Sequence, residues 1–250
     1  MATLPVERQD FEDILEAYLQ QFIGTGGGTG GTGTILPARL SIINAVKAKI
    51  DELIPEGEGV QFTLDTVPNI SNPYDIFINV FLDEVAKELL LITPLHILEP
   101  ELSTLTTASL LDEDYLGRTA FVYLPVDFLR LQEVKMAAWE RPVAIPITTT
   151  DPAYMMQKNI YVRGGISKPV AALNFSGSSK TLELYSVPVN DDLSLDYLRY
   201  IPERLAEDVQ GNLFDALTWL VANKVLQVIG QLDLSKLAYE KTILCFKDMQ

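Results

Sequence analysis

Hydrophobic positions change their period along this chain, and the changes mark its organisation. Phe11, Leu15, Tyr18 and Phe22 recur at spacings of four, three and four, which predicts a helix over Arg8–Ile23. Leu40, Ile43, Val46, Ile50 and Leu53 predict a second helix over Leu36–Ile54, with Pro37 in its first turn and Pro55-Glu56-Gly57 as its stop. A third helix is expected from the Asn72-Pro73 cap to Ile92, ahead of Pro94. Its apolar residues (Ile76, Phe77, Val80, Phe81, Val85, Leu89, Leu90) cover most of its circumference, so it is expected near the centre. Val60–Leu64 is a candidate short strand between these two helices.

The middle of the chain reads as β-structure. Ala120–Leu124 is a strand-type run ended by Pro125. Phe128–Met136 and Val143–Thr148, joined through Trp139-Glu140-Arg141-Pro142, suggest one hairpin. Asn159–Arg163 and Pro169–Leu173, separated by Gly164-Gly165, suggest a second. Thr181–Val187 and Leu198–Ile201 are further strands. Helical spacing returns at Gly211–Ile229, where Phe214, Leu217, Val221, Val225 and Val228 form a stripe and Gly230 is the stop. A weaker last helix is expected over Lys236–Phe246. The expected class is α+β, a helical bundle with a β-rich hairpin domain inserted before the last long helix. The boundaries are 1–118 for the helical region with a Gly/Thr loop at 24–34, 119–202 for the β-rich domain, and 203–250 for helices packing back on the first region.

Composition narrows the function. The 250 residues are 48% hydrophobic and 21% charged, enough to bury a sizeable core. The formal charge of −15 opposes wrapping the outside of a nucleic acid, since phosphate binding needs Lys and Arg. Cys245 is the only cysteine, so an intramolecular disulfide is impossible, and it reads as a small apolar residue of a reducing compartment. The first residues do not form a signal peptide, and the apolar runs near Ile76–Ile92 and Leu213–Ile229 are too interrupted by polar residues to span a membrane.

Candidate chemistry is sparse. The segment Gly24–Thr34 contains only Gly and Thr. A phosphate loop also needs a Lys, and a dinucleotide loop follows a strand where here a helix precedes it. The segment is expected to be a flexible loop or docking arm, with Gly26, Gly27 and Gly30 as interface candidates. His96 is the only histidine, it lies among apolar residues, and no G-x-S-x-G motif accompanies it. The acidic clusters Asp112-Glu113-Asp114 and Asp191-Asp192 lack calcium-loop spacing and read as solvated surface. No cofactor or metal site is expected, and no catalytic residue. Trp139 and Trp219 are candidate interface anchors, with core packing the alternative for Trp219.

The stretch Tyr123–Val143 reads Y-L-P-V-D-F-L-R-L-Q-E-V-K-M-A-A-W-E-R-P-V. It resembles the L-P-x-D-F-L-R-L … W-x-R-P-V region of adaptor and tail-tube-gatekeeper proteins that sit beneath the portal of short-tailed bacteriophages. Asn159–Gly164 with Lys168-Pro169-Val170 resembles the second hairpin of that family, and Tyr200-Ile201-Pro202 with the helix Leu213–Gly230 its closing segment. The Gly/Thr loop and the helix at 73–92 resemble ring proteins of crAss-like phages. The resemblance covers roughly residues 120–230. It implies a structural subunit of a virion neck ring, a homo-oligomer of twelve copies assembled in the host cytoplasm. Such a ring contacts the portal protein and the tail or a second neck ring protein, and passes genomic DNA without binding it. An acidic channel wall would suit that role, since it repels phosphate. Asp112, Glu113 and Asp114 are candidate lumen or rim residues, placed in a polar loop between the helical and β regions, and Arg141 is an interface candidate. Two other classes stay open at this point: a binding module of a host-cell complex, and a hydrolase with a carboxylate-only site.

The missing Lys in the glycine segment and the single histidine predict that titration calorimetry with ATP, GTP or NAD shows no binding heat. A dissociation constant below roughly 100 μM for any of them would defeat the expectation.

Overall fold

Among the described residues, five α-helices and eight strands are arranged so that the strands occupy the middle. The computed structural model describes residues 37–54, 73–114, 117–157, 159, 161–176, 179–189 and 193–249. These are helices α1 (Pro37–Leu53) and α2 (Pro73–Ile92), then strands β1 (Glu101–Leu102), β2 (Ser109–Asp114), β3 (Gly117–Tyr123), β4 (Phe128–Met136) and β5 (Ile147–Thr148). A short helix α3 (Pro152–Gln157) follows, then β6 (Val170–Ser176), β7 (Ser179–Val187) and β8 (Leu195–Pro202), and finally α4 (Phe214–Val228) and α5 (Leu232–Asp248). The fold is therefore mixed α and β. All of these elements belong to one compact unit, residues 37–250. The predicted helix at 8–23, the glycine segment and the candidate strand at 60–64 lie outside the described residues. Among the described residues, no helix is long and apolar enough to cross a membrane.

The strands form two sheets, one in the order β1-β8-β4 and one in the order β2-β3-β7-β6-β5. They share one apolar core. Ala120, Val122, Ala171, Leu182 and Leu184 come from the larger sheet, and Phe128, Leu131, Val134, Met136, Leu195, Leu198 and Tyr200 from the smaller. The spacing within β4 needs an explanation, because residues three apart in a regular strand face opposite ways. Two register shifts supply it. Phe128 pairs with Pro202 but Arg130 with Ile201, and Leu131 pairs with Tyr200 but Glu133 with Arg199. Each shift is a bulge that inserts one extra residue on β4, so Phe128, Leu131, Val134 and Met136 all reach the core face.

Two predicted hairpins are corrected. Val143 pairs with Val134 in an isolated bridge, and its neighbours do not extend the ladder. Pro142 and Pro146 lack the amide donors that a longer ladder would use. The chain instead crosses to the larger sheet, where β5 runs parallel to β6. Asn159 and Tyr161–Arg163 lie in turns and bends, because Asn159 Oδ1 accepts the Tyr161 amide at 3.0 Å and the Asn159 carbonyl accepts the amides of Val162 and Arg163. Such local bonds compete with strand pairing. The partner of β6 is β7. Residues 112–114, predicted as a loop, belong to β2, and the strand-forming region begins with β1 at Glu101, ahead of the expected boundary at 118/119.

The helices pack with α4 in contact with α1, α2 and α5. It is α4 that is buried on nearly every side, from Ala216 through Ala222 and again at Val225 and Leu226. The predicted central helix α2 contacts α1 and α4, but ends with Leu91 and Ile92 exposed. α4 closes with Gly230 at φ 85°, the Gly230 amide on the Gln227 carbonyl and the Gln231 amide on the Leu226 carbonyl, a Schellman stop. α5 turns its small residues Ser235, Ala238 and Thr242 inward, and buried Asn223 donates to the Ser235 carbonyl and hydroxyl, each at 2.8 Å.

One ion pair lies inside the helical part. Lys47 of α1 meets Asp75 in the first turn of α2 at 2.5 Å, with side chains 0% and 1% exposed. Neither Asp75 oxygen has a hydrogen-bond donor placed with bonding geometry. Removing one partner of such a pair leaves an uncompensated charge in the core. Lys47→Met is therefore expected to destabilise by about 3–5 kcal/mol in urea titration, and Lys47→Met with Asp75→Leu to recover most of that loss. Equal stability of the single variant and the parent would show that the pair is not buried in solution.

Candidate functional site

Strand β7 is buried on both faces, which sets it apart from the other strands. Leu182 and Leu184 point to the shared apolar core. Glu183 and Tyr185, on alternate positions, occupy the other face, where a charge needs partners. The Glu183 carboxylate receives three neutral donors: Tyr185 Oη at 2.6 Å, Asn174 Nδ2 at 2.9 Å and Tyr154 Oη at 3.1 Å. Tyr154 arrives on α3, so this carboxylate holds that helix to the sheet. Burial, then the hydrogen bond to Glu183, pushes the Tyr185 hydroxyl far above the ordinary phenol value. Burial and the Glu183 charge push Tyr154 the same way. Both phenols therefore stay protonated and donating across the neutral range.

The chain around α3 is secured by a run of further bonds. Asp151 Oδ1 accepts the Ala153 amide at 2.8 Å and caps the helix, with Pro152 as its first residue. Buried Gln157 accepts the Gly164 amide at 3.1 Å. Ser186, at φ 70°, donates its hydroxyl to the Gly164 carbonyl, and its own carbonyl accepts Trp139 Nε1 at 3.3 Å. A Cβ on Gly164 would collide with the Lys168 carbonyl and Val170, so the close approach requires glycine. The Glu140 amide reaches the Ile166 carbonyl at 3.1 Å. Residues 139–141, 151–157, 159 and 161–168 thus form one strap over an edge of the larger sheet.

The predicted site residues are scattered by this arrangement. Trp139 is 2% exposed and belongs to the core, where an interface anchor is out of reach of a partner. Trp219 is also buried, under Lys49 at 4.8 Å from its ring. Arg141 is exposed on the strap. Asp112 is exposed on β2, Glu113 pairs in register with Arg118, and Asp114 ends the strand. Gly26, Gly27 and Gly30 lie outside the described residues, as do Asp191 and Asp192. His96 is exposed in the turns after α2, and Cys245 is half-buried with its thiol pushed up by burial. Among the described residues, no three of His, Cys, Asp and Glu are grouped as metal ligands. A groove of about 240 Å³ runs between Tyr123–Val126 and Ser179-Lys180, and a smaller one of about 110 Å³ lies by Ser41, Glu207 and Phe214. Neither groove brings an acid together with a base.

Glu183, Tyr154 and Tyr185 were not singled out from the sequence. The signal was present in Leu182-Glu183-Leu184-Tyr185, where alternation puts an acid and a phenol on one face of an otherwise apolar strand. No protein-family model matches the chain, and no curated protein matches it.

The three donors on Glu183 make it a clasp, and the clasp has a stability signature. Glu183→Ala strands buried donors and is expected to cost about 2–4 kcal/mol in urea titration, against about 1 kcal/mol for Tyr154→Phe. The raised Tyr185 value has a definite sign. The unfolded chain releases its phenol proton first, so the contribution is fully present below about pH 10 and is lost as pH rises above it. Alkaline unfolding followed by fluorescence is expected to be shallower in Tyr185→Phe. An identical pH profile in that variant would remove Tyr185 from the clasp.

Proposed function

We propose that this chain is a structural subunit of a phage neck ring, joining portal to tail around the DNA path. In this reading the helices form a bundle, and the β-rich domain is inserted before the last long helix. The ring is a homo-oligomer of twelve copies, built into the virion and active when the genome is ejected. The observation that carries the reading is how the resembling stretch Tyr123–Val143 is used. Arg130, within F-L-R-L, donates to the Leu91 and Thr93 carbonyls at 3.1 and 2.8 Å, and so ties β4 to the end of α2. Trp139 and Val143, within W-E-R-P-V, are both core residues, and Val143 bridges to Val134. Within the resembling stretch, Arg130 thus joins the β-rich part to the end of α2 while Trp139 and Val143 anchor the core of the β-rich part, an arrangement that suits a load-transmitting subunit.

The charge of −15 supports the same role, because an acidic wall offers DNA no adhesive phosphate contacts. Imaging of native particles is the direct test. The expected result is one ring of this chain between portal and tail, at a fixed stoichiometry per virion. Its absence from purified particles, or a sub-stoichiometric amount together with turnover of a substrate, would exclude the structural role.

A further inference from the structure

The strap over the larger sheet is attached by polar bonds rather than by core packing. From Ala144 to Val170, Gln157 is the only buried residue among those described. The apolar core resumes on either side of this stretch, at Trp139 and Val143 before it and at Ala171 after it. Five large apolar side chains of the strap, Met155, Met156, Tyr161, Val162 and Ile166, already face solvent. We infer that the outer part of the strap is a lid: residues 151–157, 159 and 161–168 lift from the sheet as one unit while both sheets stay folded. The latch is the Tyr154 hydroxyl on the Glu183 carboxylate together with the Ser186 hydroxyl on the Gly164 carbonyl. The lid does not depend on the neck-ring reading.

Lifting takes little apolar surface out of the core, and segments with few buried apolar contacts open at the low end of a protein's range of local stabilities. β7 stays in place, because its ladders to β3 and β6 and the buried Leu182 and Leu184 are untouched. Once lifted, the strap has no independent structure to keep. α3 has six residues, well short of the roughly 12–15 at which an isolated helix becomes even marginal in water. The Asp151 cap and the Asn159 turn are local bonds with no core beneath them. The strap amides therefore lose their partners in one step, and the Glu140 amide, bonded to the Ile166 carbonyl, joins that step from outside. Lifting uncovers Glu183, still held by Tyr185 and Asn174, and Ala172 in register with it. Phe121 lies in register with Glu183 on the other side. The open state thus presents, between Phe121 and Ala172, a carboxylate that the closed state buries.

Native-state hydrogen exchange on the full-length chain, followed by nuclear magnetic resonance across a series of low urea concentrations, tests this. The amides of Tyr154, Asn159, Arg163, Gly164 and Lys168, with that of Glu140, are expected to exchange through one shared opening. That opening is expected to depend only weakly on urea and to lie well below the global unfolding reported by β4 and β8. Tyr154→Phe removes one latch bond but keeps the ring that meets Tyr185 edge-on, and matching circular dichroism checks that it is folded. It is expected to speed exchange at Gly164, Lys168 and Glu140 by one common factor, roughly fivefold for a bond of ordinary strength. Each of these amides is at least ten positions from Tyr154 in the sequence, so a shared factor reports the unit rather than the neighbourhood. Strap amides that exchange only together with β4 and β8, at the global urea dependence, overturn the lid and make the strap a fixed part of the sheet. Strap amides that each follow a separate opening, or a Tyr154→Phe effect confined to residues 151–157, overturn it as well.

Discussion

Strand β4 must place residues three apart on the same face, and the rest of the described structure depends on how it does so. A regular strand would send Phe128 and Leu131 to opposite sides of the sheet and expose half of the core. The two bulges against β8 remove that conflict. They cost paired backbone groups, but the four buried side chains they align close the space between the two sheets. The same bulges set the register of β8, whose Leu198 and Tyr200 face Val134 and Leu131.

From β4 the argument runs outward in two directions. Toward the helices, Arg130 donates to the carbonyls at the end of α2, where a cation is also favoured by the helix dipole. Arg39 joins α1 to Asp83 of α2 at 2.6 Å and to Glu207 at 3.0 Å, so the helices and the segment after β8 are linked by charge as well as by packing. Toward the larger sheet, the Val134–Val143 bridge and buried Trp139 start the strap that Glu183 and Ser186 hold down. A carboxylate satisfied by three neutral donors is held in a fixed position against the sheet.

The long helices were legible because their apolar spacing is regular: Ile43, Val46 and Ile50 of α1 are all fully buried. Strands β3, β4, β7 and β8 were legible from β-branched and aromatic runs. β2 was not, because an edge strand with Leu110, Leu111 and Asp112 all exposed shows no alternation. The false hairpins arose where dipeptide signals competed with backbone chemistry: two prolines around Val143 and the Asn159 turn. The buried place of Trp139 depends on long-range contact with Ser186, which local spacing does not encode. The clasp at Glu183 was half legible, since alternation marks its face but the Tyr154 donor comes from a helix 29 residues earlier.

The register of β4 against β8 is the measurement closest to the centre of this account. Nuclear Overhauser contacts across the pair would read it directly in labelled protein. The two-bulge arrangement predicts that Leu131 lies opposite Tyr200 and Val134 opposite Leu198. A regular ladder, with Phe128 opposite Pro202 and Arg130 opposite Tyr200, would turn Leu131 out of the core and contradict the account.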